Sequence, residues 1–164
     1  MNTEAWTILQ AWLLLVAVNG APIVARRLLG RCCDWPVDFG SRLADDRPLL
    51  GHSKTWRGLL AAVGTGALLG WWLGPGALVG AAFGGWAMLG DSLSSFVKRR
   101  LGLEPSARFR GLDQWPESLL PLWMLREPLG LDAAGILAAT VLFTLFEWWV
   151  SPWLHRLRIR RQPW

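Results

Sequence analysis

Three carboxylates and a block of cations are the residues of this chain whose types and spacing could do chemistry together. Asp91 follows the apolar run Ala87-Met88-Leu89-Gly90, and Lys98, Arg99 and Arg100 come two helical turns later. If the segment is helical, Asp91, Ser94, Ser95 and Lys98 share one face as a single polar stripe. At a rise of about 1.5 Å per residue, Asp91 lies roughly 10 Å deeper in a membrane than Lys98. An aspartate at the centre of a spanning helix costs about 2.5–3.5 kcal/mol, less near the interface, so it needs a partner or a task. A network within the helix would satisfy the charge. A second acidic pair at helical spacing, Asp113 and Glu117, begins just beyond the next loop and favours a shared site.

The run Gly51-His52-Ser53-Lys54-Thr55-Trp56-Arg57-Gly58 adds a cluster of donors before the next long apolar stretch. Lys54 and Arg57 would serve equally as charge anchors at a membrane face, but Lys98, Arg99 and Arg100 close a helix on the same side, opposite the acids. Carboxylates beside several cations suit Mg²⁺ holding an anionic polyphosphate, because Mg²⁺ takes few protein oxygens and shares its sphere with phosphates. An ion transporter also uses buried acids, yet has no need of dense basic loops beside them. Asn19, in Asn19-Gly20-Ala21-Pro22, should face the interior, either as a helix–helix hydrogen bond or as a substrate contact. His52 and His155 have no ligand spacing to another His or Cys and read as interfacial residues. Cys32 and Cys33 lack the further thiols of a zinc site and are expected to be reduced and structural.

The elements that must position these groups are read from where charge is absent. The 164 residues are 52% hydrophobic, include 13 Trp and carry a net charge of +5. With a mean hydropathy of +0.29, they fall outside the ordinary soluble class. No charge occurs from Ala5 to Ala25, from Gly58 to Gly90 or from Ala133 to Phe146. The middle run, 33 residues by sequence number, is too long for one crossing of a core about 30 Å thick, and Gly74-Pro75-Gly76 breaks it into two.

Helices are therefore expected at about 5–25, 58–73, 77–97, 113–125 and 133–150, with loops at about 26–57 and 98–112. The polar stretch Arg26 to Arg57 holds seven of the 17 basic residues, Lys98 to Arg110 five and Arg156 to Arg161 four. The Gly74-Pro75-Gly76 turn holds none, and Arg126 to Asp132 holds one against two acids. Because positive loops stay cytoplasmic, the alternation predicts an all-α, polytopic membrane protein. It has five crossings, the N-terminus outside, the C-terminus in the cytoplasm and the site facing the cytoplasm. The net charge is accounted for by orientation and anionic lipid, with no call for nucleic acid. Trp6, Trp71, Trp72 and Trp123 fall near outer ends, and Trp148, Trp149 and Trp153 near the inner end of the last helix. The fourth helix is too short to span alone, so either the membrane is locally thin or the helix starts inside a water-filled cavity; the second option puts Asp113 at or near its N-cap and Pro116 in its first turn. Gly58, Ala62, Gly66, Gly70 and Gly74, and then Gly76, Gly80 and Gly84, recur every four residues and form a seam for close helix packing.

Taken together, Asn19-Gly20-Ala21-Pro22, Lys54-Thr55-Trp56-Arg57-Gly58, Gly90-Asp91 with Ser94 to Arg100, and Gly111-Leu112-Asp113-Gln114 resemble the CDP-archaeol synthase family of integral-membrane cytidylyltransferases. The likeness runs in order along nearly the whole chain, and a more distant one extends to the phosphatidate cytidylyltransferases. It implies transfer of CMP from CTP to a phosphorylated lipid in the cell (inner) membrane, with Mg²⁺ as cofactor. By the same resemblance Asp91, Asp113 and Lys98 are catalytic. Asn19, Lys54, Thr55, Arg57, Ser94, Ser95, Arg99, Arg100 and Gln114 bind substrate, and Asp91, Asp113 and Glu117 hold the metal. Glu117 stands where a second aspartate is expected, and Ser53 where a glycine is common. The competing reading is a non-enzymatic membrane protein whose charges bind anionic lipid or a partner.

Overall fold

The computed structural model describes residues 3–103 and 113–156. Its helices are α1 (Thr3–Leu29), α2 (Trp56–Leu73), α3 (Ala77–Arg100), α4 (Gln114–Met124), α5 (Arg126–Leu129) and α6 (Ala133–Arg156). No strand is present among the described residues, only isolated bridges that pair Pro36 with Thr55 and Arg42 with Pro48. The helices expected from sequence are all found. α1 and α6 run several residues beyond their expected ends, and the single-turn α5 was not anticipated. The motif Gly111-Leu112, the loop cations Arg108 and Arg110 and the tail arginines from Arg158 onward lie outside the described residues.

Helices α2 and α3 pack backbone to backbone, and the glycines explain why. A Cβ on Gly66 would fall onto the carbonyl of Gly80, and one on Gly84 would stand 2.5 Å from the carbonyl of Ala62. Between the two helices the chain turns through Gly74 and Gly76, both left-handed, with φ of 111° and 102°. α1 and α4 pack against this pair and α6 packs against α1 and α4; Leu14, Leu15, Val18, Phe83, Leu122 and Phe143 are the largest apolar residues of the core they share.

The outer surface is apolar as well. Leu60, Leu68, Leu78 and Leu137 are each more than 60% exposed, and Trp71, Trp72 and Trp149 are exposed with them. An apolar skin of that extent belongs in lipid. α1 and α6 are long and apolar enough to cross a membrane by themselves. α2, with 18 residues, reaches about 27 Å, and α4, with 11, only about 17 Å.

The connection from α1 to α2 is irregular but well wired. Asp38, buried and unremarked in the sequence, accepts hydrogen bonds from the backbone N–H groups of Gly40, Leu50 and Gly51. The far end of the loop is clasped to the end of α3: Arg100 donates to both carboxylate oxygens of Asp45 at 2.8 Å and to the Pro48 carbonyl at 2.7 Å. In return Arg47 donates to the Arg100 carbonyl at 2.7 Å. Desolvation pushes the Asp45 carboxyl up, but the Arg47 backbone N–H and the Arg100 guanidinium outweigh it and hold the group below its ordinary value.

Candidate functional site

The site is assembled where α3 touches α4, and a glycine makes the contact possible. A Cβ on Gly90 would collide with the carbonyl of Pro116 and stand 2.7 Å from the nitrogen of Glu117. With only hydrogen there, the turn that carries Asp91 lies directly against the first turn of α4. The polar stripe expected on α3 is realised: Ser94, Ser95 and Lys98 are buried, and Asp91 is half-buried. Ser94 Oγ returns its proton to the Gly90 carbonyl at 3.1 Å, satisfying itself within the helix.

Each aspartate is held by a lysine from a different place in the chain. Lys54, just ahead of α2, donates to Asp91 Oδ2. Lys98, two turns along α3, donates to Asp113 Oδ1 at 2.6 Å. Asp113 occupies the N-cap position of α4, but its side chain makes no cap hydrogen bond; the lysine takes the carboxylate instead. Glu117 is almost wholly buried, with Asp91, Asp113 and Lys54 close enough to act on its charge. Gln114 is buried at the head of the same helix.

Other expected substrate contacts have tasks within the fold. Thr55 is the N-cap of α2, its Oγ1 accepting from the Gly58 N–H at 3.2 Å. Arg57, 6% exposed, donates to the carbonyls of Gly30 and Cys32, each at 2.8 Å, and to Asp34 at 2.6 Å. It therefore clamps the end of α1 to the start of α2. Arg100 clasps the loop, and Arg99 donates to the Leu103 carbonyl at 2.6 Å. The charged groups left to the site are thus Asp91, Asp113, Glu117, Lys54 and Lys98, with the aspartates in two separate lysine pairs.

Asn19 is placed differently. It donates to the Leu15 carbonyl at 3.0 Å and lines, with Gly20, Phe143, Glu147 and Ser151, a cavity of about 200 Å³ between α1 and α6. Glu147, on the wall of that cavity, was not singled out in the sequence. The available signal was an acid immediately after a charge-free run, which reads as the water-facing end of a helix.

The three acids expected to hold a metal are not gathered into one ligand set. Among the described residues no group of three or more His, Cys, Asp or Glu side chains stands ready to enclose an ion. Hard carboxylate oxygens, few in number, nevertheless fit magnesium, which binds through one or two carboxylates and completes its sphere with water and substrate phosphates.

An apolar-skinned helical fold with lysine-paired carboxylates where its helices meet is the arrangement expected of a membrane-embedded enzyme. A solved structure described as an intramembrane enzyme for archaeal membrane lipids biosynthesis superposes with a TM-score of 0.67 at 29% identity, over 82% of this chain and 89% of that one. Residues 7–79 match the family model CarS-like, CDP-archaeol synthase. The CDP-archaeol synthase of Pyrococcus furiosus is 30% identical over 97% of this chain and 95% of its own length. That of Sulfolobus acidocaldarius is 35% identical over 92% and 91%. The chain belongs to the CDP-archaeol synthase family.

Proposed function

We propose that this chain transfers the CMP group of CTP to the phosphate of a membrane lipid of the archaetidic or phosphatidic acid type, giving a CDP-lipid and pyrophosphate. Family membership supports the reaction, and the paired contacts of Lys54 with Asp91 and of Lys98 with Asp113 support its location. An oxygen of the lipid phosphate attacks the α-phosphorus of CTP. A new P–O bond forms, the bond to the β-phosphate oxygen breaks, and pyrophosphate leaves with the electron pair. No general base is required, since the attacking oxygen is already anionic at neutral pH.

Two polyanions repel, so positioning and charge neutralisation carry the catalysis. Lys54 and Lys98 supply cations at the two acids, and the clamps made by Arg57 and Arg100 fix the loop that delivers Lys54. Asp91 and Asp113 would hold Mg²⁺, with Glu117 in support, and the ion would neutralise the triphosphate and the departing pyrophosphate. Incubating the purified protein with α-labelled CTP and a panel of archaetidic and phosphatidic acids tests the reading. Label should enter the lipid with one pyrophosphate released per transfer, and ATP should not replace CTP. Failure of every lipid to take label would overturn it.

The acids should differ in weight. Asp113→Asn is expected to raise the Mg²⁺ requirement and to cut the maximal rate by orders of magnitude. Glu117→Gln should lose about tenfold to a hundredfold, as for a group that supports a ligand. Titration of Mg²⁺ in both variants decides between them, and a dead Glu117→Gln beside a normal Asp113→Asn would reverse the assignment.

The same reading places five crossings in the cell membrane, the N-terminus outside and the site open to the cytoplasm, with α4 and α5 together serving as the short fourth span. In a background with Cys32 and Cys33 replaced by serine, Pro75→Cys should be labelled by an impermeant maleimide in intact cells and Asp45→Cys should be spared. The opposite pattern would invert the topology.

A further inference from the structure

Cys32 and Cys33 are exposed free thiols in the turn after α1. They are reduced, as expected from sequence, and their geometry is specific. Cys33 has a φ of 54°, in the left-handed region where a β-substituted residue is uncommon. This backbone turns the two side chains to the same side, with the sulfurs 3.3 Å apart in a mutual hydrogen bond. That hydrogen bond pushes the Cys33 thiol above its ordinary value.

Direct oxidation to a disulfide is a poor match for this site. Adjacent Cα atoms are about 3.8 Å apart, short of the roughly 4.4–6.8 Å that unstrained disulfides span. A single bridging atom is a better match. With bonds to sulfur of about 2.3 Å, an atom joining sulfurs 3.3 Å apart would subtend an angle of about 90°. That is the angle of a pyramidal trivalent centre and not of a tetrahedral ion, and no third sulfur is needed.

We propose that Cys32 and Cys33 form a vicinal-dithiol site that captures trivalent, thiophilic metalloid compounds, of which organic arsenic(III) oxides are the type. The two thiols give their protons to the oxide oxygen, which leaves as water. Two S–As bonds replace one As=O bond, and arsenic remains trivalent, so no oxidant is consumed. Capture is felt beyond the turn, because the Cys32 carbonyl is one of the three acceptors that hold Arg57. Arg57 is the second residue of α2, three positions after Lys54. A ring closed across the thiols fixes the turn and shifts that carbonyl, and with it the lysine that reaches Asp91.

Phenylarsine oxide is the probe, applied to the purified full-length protein in detergent. Intact mass should show one phenylarsenic group per chain, retained against a large excess of a monothiol and removed by a dithiol. Cys32→Ser and Cys33→Ser should each lose this retention while folding normally. Retention in either variant, or its absence in the unaltered protein, would overturn the proposal. The mass readout does not depend on turnover, so it stands apart from the proposed reaction. Where transfer of CMP is measured, the adduct should slow it in the unaltered protein and leave the Cys33→Ser variant unaffected. Equal inhibition of both would overturn the coupling to Arg57.

Discussion

Asp91→Asn should reduce CMP transfer by about a thousandfold or more, the scale seen when an electrostatic group that acts in the transition state is removed. The amide keeps the shape of the side chain but neither pairs with Lys54 nor offers a charge to a divalent ion. A charge in an apolar helix is costly, so losing an unpaired one would leave stability unchanged or raise it. The structure alters that expectation, because Asp91 is engaged by Lys54 and the two side chains are only 29% and 18% exposed. Removing one partner from a fully buried pair costs about 3–5 kcal/mol. Partial exposure at this pair brings the expected loss to about 1–2 kcal/mol. Thermal unfolding and a CTP assay on the same preparation separate the two effects. A variant that is modestly less stable and inactive supports the assignment, whereas turnover close to normal at ordinary Mg²⁺ would make Asp91 a purely structural residue.

Gly90→Ala should be nearly as damaging without changing any charge. The added methyl would meet backbone atoms of Pro116 and Glu117, which cannot rotate away as a side chain would. Overpacking of this kind costs about 1–3 kcal/mol. Its functional effect is larger than its energetic one, because α3 and α4 must separate, and with them Asp91 from Asp113 and Glu117. A displacement of about 1 Å in a reacting constellation is worth about a hundredfold in rate. Gly85→Ala is the control, since a Cβ there meets nothing within 4 Å. Equal activity in the two variants would show that the α3–α4 approach does not set the site.

The parts of this architecture that repeat were legible in the sequence. The polar stripe Asp91, Ser94, Ser95 and Lys98, the glycines at every fourth position and the break at Gly74-Pro75-Gly76 follow from helix periodicity and turn chemistry. What escaped was everything decided by contacts between distant, non-periodic segments. The carboxylate of Asp38 organises a loop through backbone donors up to 13 positions away, and no spacing announces that. Arg57 and Arg100 were read as substrate ligands because a cation near a membrane face looks the same whether it meets a phosphate or a carbonyl. Glu147 was passed over because an acid just after a charge-free run is ordinarily solvated, and only the packing of α6 against α1 puts it on a cavity wall. Gly90 was noted beside Asp91, but its role depends on α4 arriving opposite it.

The glycine seam between α2 and α3 has a consequence for how the chain reaches this state. These helices are consecutive and joined by a tight turn, so their contacts close a very short loop and cost little chain entropy. The pair should form first, as a cooperative unit on which α1, α4 and α6 later dock, and its amides should be the slowest in the molecule to exchange with solvent. Lys54 lies just before this hairpin and Asp91 near its far end, so their salt bridge can be made before either α4 or α6 is in place. The Lys54–Asp91 half of the proposed site is then older in the folding sequence than the α3–α4 contact that brings up Asp113 and Glu117.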